Sequence, residues 1–346
     1  MIRPNLKTAL KTYSMARSAL FQTESLFGPA IQFAMTRKRP RLPFDDKELF
    51  KVIRASMDRL IQNDVDSIVR GDYPIEVLKP ENPVAHLRRM PRMLLDAVEL
   101  MRRKGKHEAH NFSPEASDLL SELPEYYRRN FHYQGDGYLS EASADLYEHQ
   151  VEILFGGTAD AMRRLILAPL KKHFGSTDGR DLKFLEIGAG TGRATRFVRL
   201  AFPKAKIVAV DLSAPYLKKA QVSLADFPRH DFVEADAAVL PFLDESFDAV
   251  YSVFMFHELP REERSRIVEE SKRVLKPGGF IGIVDSLQLD DDPELNGPLK
   301  DFPRDFHEPF YKDYIKHPLE DLFDEKGLKD RETGIGFFSK VISAKK

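Results

Sequence analysis

Residues 184–197 read FLEIGAGTGRATRF, in which three glycines, Gly188, Gly190 and Gly192, fall within five positions. The segment follows a short apolar run and precedes a helical pattern. A glycine at the end of a strand lets the chain turn sharply, and the missing side chain lets the backbone approach a ligand. The stretch therefore predicts a ligand-binding turn between a strand and a helix.

The residues around this turn distinguish between two kinds of ligand. A dinucleotide fingerprint places its third glycine three residues after the second, where this chain has Arg193. Glu186 stands beside the turn, and an acid there would repel a diphosphate that binds the free amides of a helix N-terminus. The same carboxylate suits an ammonium group, such as the one in the amino-acid portion of S-adenosylmethionine. The turn therefore favours S-adenosylmethionine over a dinucleotide.

Strand and helix patterns alternate from about residue 182 onward. Alternation of this kind predicts a parallel sheet with helices on both faces, so we expect an α/β, doubly wound, mainly parallel Rossmann-like fold. Ligands of such sheets bind beyond the carboxyl ends of the strands. The predicted strands are 182–187, 205–211, 230–236, 246–256 and 277–286.

Two more acids end the second and third predicted strands. Asp211, followed by Leu212, could accept hydrogen bonds from both ribose hydroxyls. Asp236 could accept from an adenine amino group while the backbone N–H of Ala237 donates to a ring nitrogen. Each acid taken alone could equally be a strand-end cap. Three acids at successive strand ends, counting Glu186, favour a cofactor site.

Five motifs between about 180 and 285 carry a family resemblance: LEIGAGTG, VAVDLS, EADAAVLPF, SFDAVYSVFMFHEL and RVLKPGGFIGIVD. The chain resembles the class I S-adenosylmethionine-dependent methyltransferases, in particular the ubiquinone/menaquinone C-methyltransferase-like branch. The resemblance implies S-adenosyl-L-methionine as the cofactor. It also implies the cofactor-binding residues, which are Glu186, Gly188, Ala189, Gly190, Gly192, Asp211, Leu212, Asp236, Ala237 and Val253.

The catalytic candidates follow the fourth and fifth predicted strands. Methyl transfer from an activated sulfonium requires alignment and exclusion of water, and a base only when the acceptor must lose a proton. We expect His257 to be that base, with Glu258, His307 and Tyr311 as further candidates. We predict no metal site. The expected substrate pocket consists of Tyr133, Tyr138, Phe256, Glu308 and Tyr314.

Structural interpretations of the same residues stay open. Glu258 could cap the next helix and His257 could pack at its start. The stretch 302–315 could be a surface loop rather than part of a substrate lid, and 131–140 could be an interdomain linker.

Composition and charge suggest two parts. We expect an α-helical N-terminal domain at 1–134 and a methyltransferase domain at 135–346, with a substrate lid at about 290–316. Residues 1–42 contain eight Lys and Arg and one acid, Glu24, which gives +7 in a chain of net charge −1. The basic residues, including Arg37, Lys38, Arg39 and Arg41, could be solvated helix faces, a membrane-surface or acidic-partner contact, or a transit peptide, in that order.

The expected function is methylation of a small, partly apolar molecule such as a quinone, polyketide or acyl chain, at carbon or oxygen, in the cytoplasm. The acceptor could be carrier-bound, and an oligomer is compatible with the sequence. Nucleic-acid substrates are disfavoured for two reasons. Methylation of an exocyclic amine usually shows an Asn/Asp-Pro-Pro-aromatic motif near the end of the fourth strand, where this chain has Phe254-Met255-Phe256-His257. Cytosine-5 methylation that uses a cysteine nucleophile is impossible because the chain has no cysteine. An S-adenosylmethionine-binding assembly or regulatory protein without transfer is the alternative, and a nicotinamide oxidoreductase ranks third.

Overall fold

The structure is a computed structural model that describes residues 4–37, 46–80, 83–106 and 110–346. Within these residues, seven strands form one sheet. The strands are β1 Lys183–Ile187, β2 Lys206–Asp211, β3 His230–Glu234, β4 Phe247–Val253, β5 Leu275–Ser286, β6 Lys329–Gly336 and β7 Ser339–Lys345.

The strand order across the sheet is β3-β2-β1-β4-β5-β7-β6. Strands β1 to β5 are parallel, and the order reverses beside β1, which pairs with β2 on one side and with β4 on the other. In this register Glu186 is opposite both Ala209 and Tyr251. The carboxyl ends of β1, β2 and β4 therefore meet at one edge, as ligand sites of such sheets require.

This architecture confirms the fold class predicted from the sequence, with three differences. Strand β3 ends at Glu234 rather than at 236, so Asp236 lies two residues beyond the strand. Strand β4 ends at Val253 rather than at 256, because the chain turns at Phe254, which has a φ of +58°. The antiparallel strands β6 and β7 were not predicted. Strand β7 lies between β5 and β6, and all of its residues except the last are buried.

Fourteen α-helices occur in the described residues, and those before the sheet make the N-terminal part of the chain helical, as predicted. The helices are α1 Pro4–Glu24, α2 Phe27–Thr36, α3 Lys47–Arg70, α4 Pro83–Lys106, α5 Pro114–Leu119, α6 Glu141–Leu154, α7 Ala159–Arg163, α8 Leu167–Phe174, α9 Arg193–Ala201, α10 Ala214–Ser223, α11 Arg261–Val274, α12 Asn296–Asp305, α13 Tyr311–Tyr314 and α14 Leu319–Glu325.

Local sequence explains several helix ends. Asp46 caps α3 by accepting from two backbone N–H groups, and Gly71 ends it in the left-handed conformation. Helix α4 continues through Pro91.

The N-terminal helices pack onto the sheet. Val65 and Ile68 of α3 share a buried cluster with Phe184 of β1. Asp64 of α3 accepts two hydrogen bonds from the buried Arg164, at 2.8 and 2.6 Å. These contacts connect the helical region to the sheet on one face. The domain boundary at 134/135 stays a prediction.

Candidate active site

A cavity opens at the carboxyl ends of β1, β2 and β4, where the strand order reverses. It encloses about 960 Å³, part of which is open solvent. Strand-end residues and aromatic side chains from the segment before the sheet both line this cavity.

The three glycines of the turn have different neighbours. All have a positive φ, which favours glycine. A Cβ on Gly188 would lie 2.6 Å from Met255 Sδ, and one on Gly192 would lie 2.9 Å from Leu224 Cδ1. A Cβ on Gly190 would have only Tyr216 Cδ1 nearby, at 3.9 Å. Gly192 thus permits close packing against α10, whereas Gly190 leaves space in the cavity for a ligand.

Glu186 is a buried carboxylate in the cavity wall, with 1% of its surface exposed. Its Oε2 accepts from Thr195 Oγ1 at 2.5 Å and from Tyr251 Oη at 2.9 Å. Burial raises the pKa of Glu186 to about 7, although these hydrogen bonds oppose the shift. A buried carboxylate gains most from a cationic ligand, so the site fits the ammonium group of the expected cofactor.

Asp211 connects the ends of two strands. Its Oδ2 accepts from the backbone N–H of Gly190 at 2.7 Å, and its Oδ1 accepts from the N–H of Ser213 at 2.8 Å. Burial raises the pKa of Asp211 to about 6. Each carboxylate oxygen keeps a further lone pair for a ligand hydroxyl. Both Asp211 and the adjacent Leu212 line the cavity.

The expected adenine-binding pair lies partly in the wall. Ala237 lines the cavity, as Val253 does at the end of β4, but Asp236 does not. Asp236 Oδ1 accepts from the backbone N–H of Ala238 at 2.8 Å. This hydrogen bond makes Asp236 a local cap of the backbone after β3, and its contact with adenine stays a prediction.

Most of the aromatic residues that line the cavity were not predicted from the sequence. Among the aromatic residues there, only Tyr138 was predicted. The ring of Phe131 stacks on that of Tyr138 with centroids 5.3 Å apart, and Tyr216 meets Tyr138 edge-on at 5.3 Å. The aromatic-rich stretch from Pro124 to Tyr138 could have revealed this group. The aromatic lining residues from α6 and the segment before it are Tyr126, Tyr127, Phe131, Tyr138 and Tyr147.

The sequence analysis also did not predict the charged residues that line the cavity beside the glycine turn. Arg193, which excluded a dinucleotide fingerprint, is bound by the buried Asp160 of α7 through its Nε at 2.8 Å. Thr191 donates to Glu148 of α6, and Glu148 also lies 2.9 Å from Arg163. These contacts fix helices α6 and α7 against the glycine turn.

Glu258 and His257, adjacent in sequence, have different positions. Glu258 lines the cavity and accepts a hydrogen bond from the Tyr138 hydroxyl. His257 does not line the cavity, and its Nδ1 lies 2.5 Å from Oδ1 of the fully buried Asp285. Burial lowers the pKa of His257, but the Asp285 carboxylate outweighs it and raises the pKa to about 9. The imidazole is therefore protonated at neutral pH, and its role as a base stays a prediction.

Three other predicted residues are buried beside His257 rather than in the cavity wall. The side chain of Phe256 is in the core of the sheet. Tyr311 shares a hydrogen bond with Ser286 Oγ at 2.6 Å, and the Tyr314 hydroxyl donates to the Ser286 carbonyl at 2.6 Å. Both tyrosine rings contact His257 edge-on, at about 6 Å.

The last three predicted residues surround His132. Tyr133 packs on His307 with ring centroids 5.4 Å apart, and the His307 carbonyl accepts from the backbone N–H of His132. Glu308 Oε1 lies 2.9 Å from His132 Nδ1. None of these residues lines the cavity, nor does any residue of the expected lid at 290–316.

Comparison with known proteins agrees with this site. Residues 184–279 match the family model of the methyltransferase domain. The ubiquinone/menaquinone biosynthesis C-methyltransferase of Hahella chejuensis is 36% identical over 105 residues, which cover 29% of this chain and 41% of that protein. The fatty-acid O-methyltransferase of Mycolicibacterium smegmatis is 29% identical over 147 residues, covering 42% of this chain and 52% of that protein.

A solved structure gives a longer but more distant match. Human N-acetylserotonin methyltransferase in complex with S-adenosylmethionine covers 76% of this chain and 70% of that chain, at 16% identity and a TM-score of 0.49. The sequence matches above span about half or less of each relative's length. Residues 184–279 are thus a methyltransferase domain, and S-adenosyl-L-methionine is its cofactor.

The geometry of Gly190 gives a first prediction. We expect Gly190→Val to abolish S-adenosylhomocysteine binding measured by calorimetry, because the branched side chain would occupy the cavity. Gly71→Val introduces the same left-handed backbone strain at α3, with open space around its Cβ, and should keep full affinity. Gly192→Val should instead lower the melting temperature, because Leu224 and Ala220 have no room for it. Normal affinity in Gly190→Val would contradict the assigned position of the cofactor.

The raised pKa values predict a pH dependence. Glu186 and Asp211 are neutral below their pKa values of about 7 and 6, and they can attract a cationic ligand only after they lose the proton. We expect S-adenosylhomocysteine affinity to rise by ~10-fold from pH 6 to pH 8. Glu186→Gln should bind more weakly and lose most of this dependence. A flat profile for the wild-type protein would rule out Glu186 as the ammonium partner.

Proposed function

We propose that this chain, whose residues 184–279 form a methyltransferase domain, methylates a small, partly apolar acceptor at carbon or oxygen with S-adenosyl-L-methionine. The observation that carries the proposal is the position of Gly190, whose missing side chain leaves space in a cavity lined by Glu186 and Asp211. A protein that binds the cofactor without transfer is the competing function.

The cofactor brings an activated methyl group, so the protein must bind, align and exclude water. Glu186 binds the ammonium end, and Asp211 binds the ribose while it holds the turn through the Gly190 N–H. The aromatic rings that line the cavity exclude water from the reacting atoms.

An apolar acceptor follows from the cavity wall. Phe254 and Met255, which follow β4, line the cavity together with Tyr127 and the other aromatic residues of the segment before α6. Flat or chain-like apolar molecules bury well against such rings. Relatives named for quinone and fatty-acid methylation agree with this class of acceptor.

Glu258 is the polar group that meets the acceptor in this proposal. Its carboxylate faces the cavity, and Tyr138 fixes one of its oxygens by a hydrogen bond. His257 Nε2 lies 3.8 Å from Glu258 Oε1, and Asp285 holds the His257 ring from the other side. Glu258 therefore orients an acceptor hydroxyl or removes its proton, and His257 is a positioning residue.

Transfer of the methyl group from isotope-labelled S-adenosylmethionine to quinone, phenol and fatty-acid acceptors tests this function. We expect Glu258→Gln to reduce turnover by ~10²–10⁴-fold, the usual size of a general-base contribution, with S-adenosylhomocysteine affinity nearly unchanged. The control Glu262→Gln changes an exposed residue of α11 and should have normal turnover. Cofactor binding without transfer to any acceptor would favour the assembly or regulatory function instead.

We further propose that the helices α2 and α4 form a peripheral contact with anionic membranes. These helices pack together, and α4 exposes 70% of both Leu87 and Leu95 beside the exposed Arg88. Arg37 follows α2, whereas Lys38, Arg39 and Arg41 are outside the described residues. Exposed apolar side chains beside basic ones suit an anionic bilayer surface. Among the described residues, no helix is both long and apolar enough to cross a bilayer.

Sedimentation with vesicles tests the membrane contact. We expect the protein to sediment with phosphatidylglycerol vesicles at low salt and much less with phosphatidylcholine, since each basic residue near an anionic surface contributes about 1 kcal/mol. Leu87→Glu with Leu95→Glu should abolish sedimentation, as should reversal of the four basic residues at 37, 38, 39 and 41. Val222→Glu with Leu243→Glu, which changes apolar residues that are 69% and 83% exposed elsewhere, should have no effect. A dimer in solution without vesicle binding would assign this face to a second copy instead.

A further inference from the structure

We propose that His132, Glu258 and Glu308 form a binding site for one divalent transition-metal cation beside the cavity. One nitrogen of His132 and one oxygen of each carboxylate lie within 4.8 Å of one another. The three residues come from separate parts of the chain: the segment before α6, the turn after β4 and the turn between α12 and α13.

Glu308 carries the argument. Its side chain is fully buried, and neither carboxylate oxygen accepts a hydrogen bond from any described residue. His132 Nδ1 lies 2.9 Å from Glu308 Oε1, but it also lacks a hydrogen-bonding partner, so the contact is close without hydrogen-bond geometry. Buried polar groups are nearly always satisfied, and a buried carboxylate without donors is strongly unfavourable. A cation between these atoms would satisfy all of them.

The charges around the site also favour a cation. Three carboxylates, Glu258, Glu308 and Asp285, face two imidazoles, His132 and His257. The carboxylates therefore outnumber the imidazoles, which favours an added positive charge. The Tyr138 hydroxyl, which donates to Glu258, adds no charge.

The donor set indicates the class of metal. One imidazole and two carboxylates suit manganese, iron or zinc, and the chain has no cysteine to favour a softer ion. Three protein ligands leave coordination positions open. Because Glu258 also lines the cavity, an acceptor oxygen could reach such a position. Metal binding itself is independent of the proposed function, whereas this contact with an acceptor rests on it.

Titration of the full-length, chelator-treated protein with Mn²⁺ tests the site, with free Mn²⁺ counted by electron paramagnetic resonance. We expect the wild-type protein to bind one Mn²⁺ per chain. Glu308→Gln should bind Mn²⁺ at least ~100-fold more weakly, because the loss of a direct ligand should cost no less than the loss of a residue that only supports a ligand. His132→Asn should show the same loss, because asparagine tolerates the left-handed backbone found at His132 (φ +55°). Thermal melting shows whether each variant is folded.

A second cluster of the described residues provides the matched control. Glu24, His86 and His149 also have ligand atoms within 4.8 Å of one another, but Glu24 already accepts from both imidazoles, at 2.8 and 2.9 Å. Glu24→Gln should leave Mn²⁺ binding unchanged. The proposal is overturned if the wild-type protein binds no Mn²⁺, or if binding survives Glu308→Gln and is lost in Glu24→Gln. Calorimetry with S-adenosylhomocysteine on the same samples reports separately on the proposed function.

Discussion

The hydrogen bond from the Gly190 backbone to Asp211 is the contact on which the site depends. It joins the turn after β1 to the end of β2, so that the glycine turn and two acids occupy one edge of the sheet. The parallel register of β1 with both neighbours makes this contact possible. Because Gly190 has no side chain, the backbone can bind Asp211 and still leave the adjacent space to a ligand.

The helices before the sheet complete the site that the turn begins. Glu148 of α6 and Asp160 of α7 bind Thr191 and Arg193, and these contacts bring the aromatic segment before α6 over the cavity. Cofactor binding and closure of the cavity therefore depend on the same turn. Disruption of the contacts of α6 and α7 would therefore disturb the cavity, even though neither helix belongs to the region that matches the methyltransferase domain.

The part of the cavity near Glu258 is organised by charged side chains rather than by the strands of the sheet. Asp285 of β5 accepts from the backbone of Phe256 and from His257, which fixes the turn after β4. Glu258 is thereby directed to the cavity and to His132. The same arrangement buries Glu308 with neither of its carboxylate oxygens accepting a hydrogen bond from a described residue, and this is the physical basis of the inferred metal site.

The sequence by itself determined the parallel sheet, the glycine turn and most of the strand-end residues that line the cavity. Gly190, Glu186 and Asp211 are near one another through the regular spacing of strands and turns, and such local patterns are legible in a single sequence. The role of His257 was predicted from its position after β4, but its partner Asp285 is 28 residues away. Only the tertiary structure decided that Glu258 rather than His257 lines the cavity, which tyrosines line it as well, and that His132 contacts Glu308. Those contacts join segments far apart in the chain, and no periodicity or spacing records them.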